Sequence, residues 1–209
     1  MNPKNILPMT AALGLIMSAL SAQADTPINT LPYTISSPGT YVLTGNLTSP
    51  PIPNPQSSIL ITGSAGTVVL DLKGFTLMLA TLYPNFGYTA INVRRSNVTI
   101  RNGTIQNFNA AINVSPPGSG YLSNVLVQNV TFSNVDGTHI DFVQVNSSVI
   151  TNCTFLGFAQ AAIVDSSSQT TNLFSKNRFD GNQRAVLSIL FVARPVFLEQ
   201  CRFDVLSAN

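Results

Sequence analysis

The residues able to do acid–base chemistry gather in one stretch, Asn134-Val-Asp-Gly-Thr-His-Ile-Asp141, where the chain's single histidine lies between two carboxylates. A carboxylate pair, or a carboxylate beside an imidazole or guanidinium, is the equipment that moves protons at a glycosidic bond or next to a uronate carboxylate. Asp136, His139 and Asp141 are therefore the candidate catalytic residues, with Arg94 as their basic partner and Arg95 beside it as an alternative base. Strand periodicity over Ala90-Ile-Asn-Val93, Ala111-Ile-Asn-Val114 and His139-Ile-Asp-Phe142 turns Asn92, Asn113 and Asp141 outward. The same period makes Arg94 and His139 their same-face neighbours. Two readings stay open: a catalytic patch, or solvent-facing strand residues after an Asp136-Gly137 turn, with the Asn92, Asn113 and Asp141 row left to bind sugar hydroxyls.

Two insertions flank this strand series, Thr81-Leu-Tyr-Pro-Asn-Phe-Gly-Tyr88 before it and Ser115-Pro-Pro-Gly-Ser-Gly-Tyr-Leu122 within it. If they wall a groove, Tyr83, Tyr88 and Tyr121 are placed to stack on sugar rings; otherwise these aromatics close over their own loops. The donor set does not suggest a metal. One His and two distant Cys lack zinc spacing, and Asp136, Asp141 and Asn113 are a thin set for Ca²⁺, which takes six to eight oxygens. No cofactor is expected.

The scaffold that must hold these residues is a repeat. Leu70-Asp-Leu-Lys-Gly-Phe-Thr-Leu77 returns as Val98-Thr-Ile-Arg-Asn-Gly-Thr-Ile105 and Val125-Leu-Val-Gln-Asn-Val-Thr-Phe132. It returns again as Ser148-Val-Ile-Thr-Asn-Cys-Thr-Phe155, Asn172-Leu-Phe-Ser-Lys-Asn-Arg-Phe179 and Val196-Phe-Leu-Glu-Gln-Cys-Arg-Phe203. The last apolar residues of the copies are spaced 28, 27, 23, 24 and 24 apart, the period of a solenoid. Each copy alternates apolar and polar residues, as a strand with one buried face does. In its centre stands Asn102, Asn129 or Asn152, or Gly74, Lys176 or Gln200, where a corner needs left-handed backbone. Asn102-Gly103 alone would suggest a hairpin, but β-branched Val130 at the next copy resists positive φ, so the chain is expected to bend and continue. Ile100, Val127, Ile150, Phe174 and Leu198, each two residues before a corner, should form one buried column.

These motifs resemble the right-handed parallel β-helix of the pectin-lyase-like superfamily. The resemblance implies an all-β fold, a right-handed parallel β-helix of about six coils over residues 59–209, with residues 25–58 as an N-terminal cap. In that cap Tyr33-Thr-Ile35 and Tyr41-Val-Leu43 flank a Ser37-Pro-Gly39 turn, and a proline-rich loop runs from Ser49 to Pro55. The patch around Asp136 also resembles, loosely, part of a polygalacturonase signature. Asn134-Val-Asp-Gly137 matches its first segment, but Phe158-Ala-Gln160 stands where the acid pair belongs, and Gly-His-Gly is absent. Asp136 alone cannot serve as both acid and base. The expectation is therefore a carbohydrate-polymer-binding, non-catalytic solenoid, with a polysaccharide lyase or glycoside hydrolase acting on a uronate-containing polymer as the alternative.

Lys4, the apolar run from Ile6 to Leu20 and Ala22-Gln-Ala24 form a secretory signal peptide over residues 1–24, so the mature chain is expected to be secreted or periplasmic, starting at Asp25. Charged residues make up only 9% of the chain and the net charge is +2, which leaves no nucleic-acid footprint. No later segment is long enough for a membrane span. Cys153 and Cys201 fall two coils apart, about 9.6 Å at strand spacing, too far for a disulfide. The chain stops soon after a repeat, which predicts end-to-end self-association through the last coil, or else continuation in a longer chain.

Overall fold

The computed structural model describes residues 24–50, 57–63, 65–80, 87–158, 161–167, 171–180, 187–189 and 197–204. Every regular element among them is a β-strand, and every strand pairing is parallel. Two long sheets run up the molecule. The first follows the path Thr26–Ile28, Gly39–Leu43, Val68–Asp71, Val98–Gln106, Val125–Val135, Val149–Thr151, Leu173–Ser175 and Phe197–Glu199, with shorter strands beside it. The second stacks Tyr33–Ile35, Ser57–Ile61, Thr89–Val93, Ala110–Val114, Thr138–Phe142, Ala161–Asp165 and Leu187–Ile189.

The repeat fixes this register. Ile100 pairs with Val127, Val127 with Ile150, Ile150 with Phe174 and Phe174 with Leu198, so the expected column is present. Its members from Ile100 to Phe174 are fully buried, whereas Leu198, in the last described coil, is 50% exposed. Each such side chain contributes on the order of 1.5–3 kcal/mol by leaving water. A second column ends each copy: the rings of Phe132, Phe155, Phe179 and Phe203 stack at 5.0, 4.9 and 5.2 Å, within 13° of parallel. Only a chain whose coils repeat at strand spacing can stack like residues this way.

Corners fall where expected, and additional ones fall on either side. Asn102, Asn129, Asn152, Lys176 and Gln200 all have φ between 52° and 59°. So do the expectations for Gly74 hold, although Lys73 beside it is also left-handed and that corner is longer. Asn97 and Asn124 turn one flanking corner, Asn107 and Asn134 the other. Here Asn side chains bond upward from coil to coil: Asn124 Nδ2 donates to Asn97 Oδ1 at 3.0 Å, Asn129 to Asn102 at 3.2 Å and Asn134 to Asn107 at 2.7 Å. Gly103 is required by closeness, since a Cβ there would lie 2.4 Å from the Leu72 Cβ.

The stretch expected to cap the solenoid, residues 25–58, continues its ladders. Tyr33–Ile35 pairs with Ser57–Ile61 in the second sheet, and Gly39–Leu43 pairs with Val68–Asp71 in the first. Their alternation was that of ordinary solenoid strands; the turn between them changes sheets. Most of the proline-rich loop lies outside the described residues, as does the expected signal peptide up to residue 23. Both thiols are free, Cys153 buried and Cys201 half-buried. Burial pushes the Cys153 thiol up to about 12, which leaves it unreactive.

Candidate functional site

The second sheet builds the candidate site as a row. Asn92 pairs with Asn113 and Asn113 with Asp141, and all three side chains are half-buried. Successive members rise by one strand spacing, about 4.8 Å. Ser115 Oγ donates to Asn113 Oδ1 at 2.9 Å, and Asn113 Nδ2 lies 3.4 Å from Asp141 Oδ2, so the row is internally oriented. At its lower end the buried Asn92 Oδ1 accepts no hydrogen bond among the described residues. Leu60 precedes the row and Val164 follows it, which limits it to three coils.

His139 is a correction. It is fully buried, edge-on to the rings of Phe132 and Phe155 at 5.7 and 5.5 Å, and so belongs to the interior. Simple alternation misplaced it because these strands bury two consecutive residues: Ala90 and Ile91, Ala111 and Ile112, His139 and Ile140. In register His139 replaces the alanines at 90, 111 and 162. Burial lowers its imidazole to about 3, so it stays neutral and cannot serve a surface site.

The other candidates scatter. Asp136 is exposed, in the turn before Thr138–Phe142, where its amide donates to the Phe108 carbonyl at 3.0 Å. About 10 Å of strand then separates Thr138 from Asp141. Arg94 is exposed, just past Val93 at the end of the row's first strand. Arg95 is withdrawn as a base: it is buried, and its guanidinium donates to the carbonyls of Thr62, Ala65, Gly66 and Ser96. Tyr88 is buried, which takes it away from any sugar-stacking wall, whereas Tyr121 is exposed. Tyr83 lies outside the described residues.

A residue not singled out from the sequence completes the electrostatics. Asp165 is fully buried, accepting from the Ser167 amide at 3.1 Å and from Asn172 Nδ2 at 2.8 Å. It fills the inward position held by Val93, Val114 and Phe142, and an acid in that apolar column was the available signal. Asp141 feels it: burial first, and the Asp165 charge second, raise the Asp141 carboxyl above the usual range.

Chemically, the row presents amides, one hydroxyl and one carboxyl that holds its proton to higher pH than usual. Such a set donates to and accepts from hydroxyl groups. It holds one accessible carboxyl, while glycoside hydrolysis uses two across the bond. It also fits Ca²⁺ poorly: Asn113 Oδ1 is already engaged by Ser115, and among the described residues no three His, Cys, Asp or Glu side chains converge.

No curated protein and no solved structure matches the chain. A family model does, over residues 53–203, and its description is a right handed beta helix region. The match spans the repeat whose stacked columns and corners are described above. The chain therefore belongs to the right-handed β-helix family.

Proposed function

We propose that this β-helix is an exported, non-catalytic binder of a carbohydrate polymer, with Asn92, Asn113 and Asp141 as the contact row. The single observation that supports it most is the register of three side chains able to bond hydroxyls on one sheet, with Asn113 held between Ser115 and Asp141. Amide and carboxyl groups at regular intervals suit a ligand that repeats its hydroxyls. Tyr121 lies exposed in the loop that follows the row's central strand, where its ring could stack on a sugar. The leader pattern of residues 1–24 supports export, and amino-terminal sequencing of the processed protein should begin at Asp25.

The test is a binding screen over uronate-containing and neutral polysaccharides, run beside assays for unsaturated products and new reducing ends. Binding without turnover is expected. Asp141→Asn should weaken affinity by about 1 kcal/mol, the loss of one modest hydrogen bond. Failure to bind any polysaccharide would remove the proposal. Product formation that vanishes in Asp141→Asn would instead establish the lyase or hydrolase alternative.

A further inference from the structure

The last described coil carries a self-complementary sequence at its outer edge. Phe197–Glu199 and Arg202–Asp204 each pair on one side only among the described residues, with Leu173–Ser175 and Arg178–Asp180. Leu198 and Phe203 are 50% and 49% exposed, against full burial for the residues they stack on, Phe174 and Phe179. Between them the order is Leu198-Glu-Gln-Cys-Arg-Phe203: apolar, acidic, two uncharged residues, basic, apolar. The corner sits at Gln200, which has φ 52°.

We propose that this edge docks against the same edge of a second copy, about a two-fold axis through Gln200 and Cys201. Rotation about that axis lays the strands antiparallel, so Leu198 meets Phe203 of the other copy and Glu199 meets Arg202, each pair occurring twice. The stacked Phe column then continues onto an apolar residue, and the open backbone edge gains partners. The charges favour this arrangement over further parallel stacking. Parallel stacking would set Arg202 over another Arg, as it already stands over Arg178, with the Asp204 carboxylate bridging the two and Asp180 pairing with Arg178. The Glu199 carboxylate is exposed and has no ion pair among the described residues. The opposite end is less suited to such docking: its first strand, Thr26–Ile28, is three residues long with Pro27 at its centre, a residue without an N–H.

The test uses the full chain in sedimentation and a charge exchange. The parent should form dimers that dissociate on dilution. Glu199→Arg and Arg202→Glu, each alone, set like charges against each other twice and should weaken dimerisation by about tenfold or more. Mixed, the two variants face each other with opposite charges at every pair, and dimers should return. A role confined to folding within one copy would not be rescued by mixing. A short bis-maleimide should also link Cys201 of two parent chains, since the axis passes beside it while Cys153 is buried. A parent that stays monomeric at high concentration, growth beyond dimers, or a mixture no tighter than either variant alone would each overturn the proposal. So would a parent dimer whose Cys201 residues do not link.

Discussion

The central and later coils turn the same corners with different side chains. In the central coils, exposed Asn129 and Asn134 and half-exposed partners bond to one another along the outside of the ladder. In the later coils the polar groups go inward. Asn177 is buried, donating Nδ2 to the Ile150 carbonyl and accepting from the Cys153 amide, both at 2.9 Å. Asn172 likewise donates to the Val145 carbonyl at 3.0 Å and accepts from the Ser148 amide at 3.1 Å. Water can replace a surface amide but not a buried one, so similar bonds have unequal consequences when removed. The later coils are thus held by less replaceable groups.

The largest effect should come from the column that both regions share. Ile150→Asp would bury an unpaired charge between Val127 and Phe174 and should destabilise by about 4 kcal/mol. A denaturant midpoint close to the parent's would mean that the coils are registered differently. The comparison itself is sharpened by Asn177→Ala, which strands the Ile150 carbonyl and the Cys153 amide inside the protein. A loss of about 3 kcal/mol is expected. If Asn177→Ala cost no more than a surface asparagine, the contrast between the regions would fail.

His139 stands where the two regions meet, and its effect depends on pH. Its folded-state pKa, about 3, lies below the ordinary 6.5, so the unfolded chain binds the proton first as pH falls. Stability from the neutral imidazole is complete above 6.5 and drains away as pH falls toward 3. Between pH 6.5 and 5 this removes about 2 kcal/mol, at up to about 1.4 kcal/mol per unit. Asp141, raised by burial and Asp165, works in the opposite sense. The informative measurement is therefore the difference in slope between parent and His139→Ala, the residue used at 90, 111 and 162. Equal slopes would show that His139 is not buried neutral.

The fold was legible because solenoid repeats write the same physical demand several times over. Ile100, Val127 and Ile150 are interpretable together where any one alone is not. The geometry of the candidate row was legible in part. Asn92, Asn113 and Asp141 followed from alternation, but His139 did not, because the strand buries two residues in succession where the sheet meets a corner. The column of Ala90, Ala111 and Ala162 carried that information, and reading across copies rather than along one strand would have recovered it. Asp165 was missed for the same reason. The first coil is harder to read as a copy of the repeat because its strands are short and a proline-rich loop follows them, although Ile35 and Tyr41 sit in register with Ile61 and Leu70.

The smallest predicted effect tests the surface ladder. Asn129 has φ 55° and donates to Asn102 Oδ1 at 3.2 Å from an exposed position. Two contributions are lost in Asn129→Ala: tolerance of the left-handed backbone, and one solvent-accessible bond. The backbone term is the larger, on the order of 1 kcal/mol, since both residues carry a Cβ that crowds the following carbonyl but only asparagine's short polar side chain offsets it by local hydrogen bonding. The bond contributes less, because water substitutes for the amide. Asn129→Gly separates them, keeping the conformation while removing the amide. It should therefore fall much nearer the parent than Asn129→Ala in thermal and denaturant melts. If the two variants are equally destabilised, the coil-to-coil amide bonds hold the central corners more strongly than their exposure implies, and the two regions of the solenoid differ less than their burial suggests.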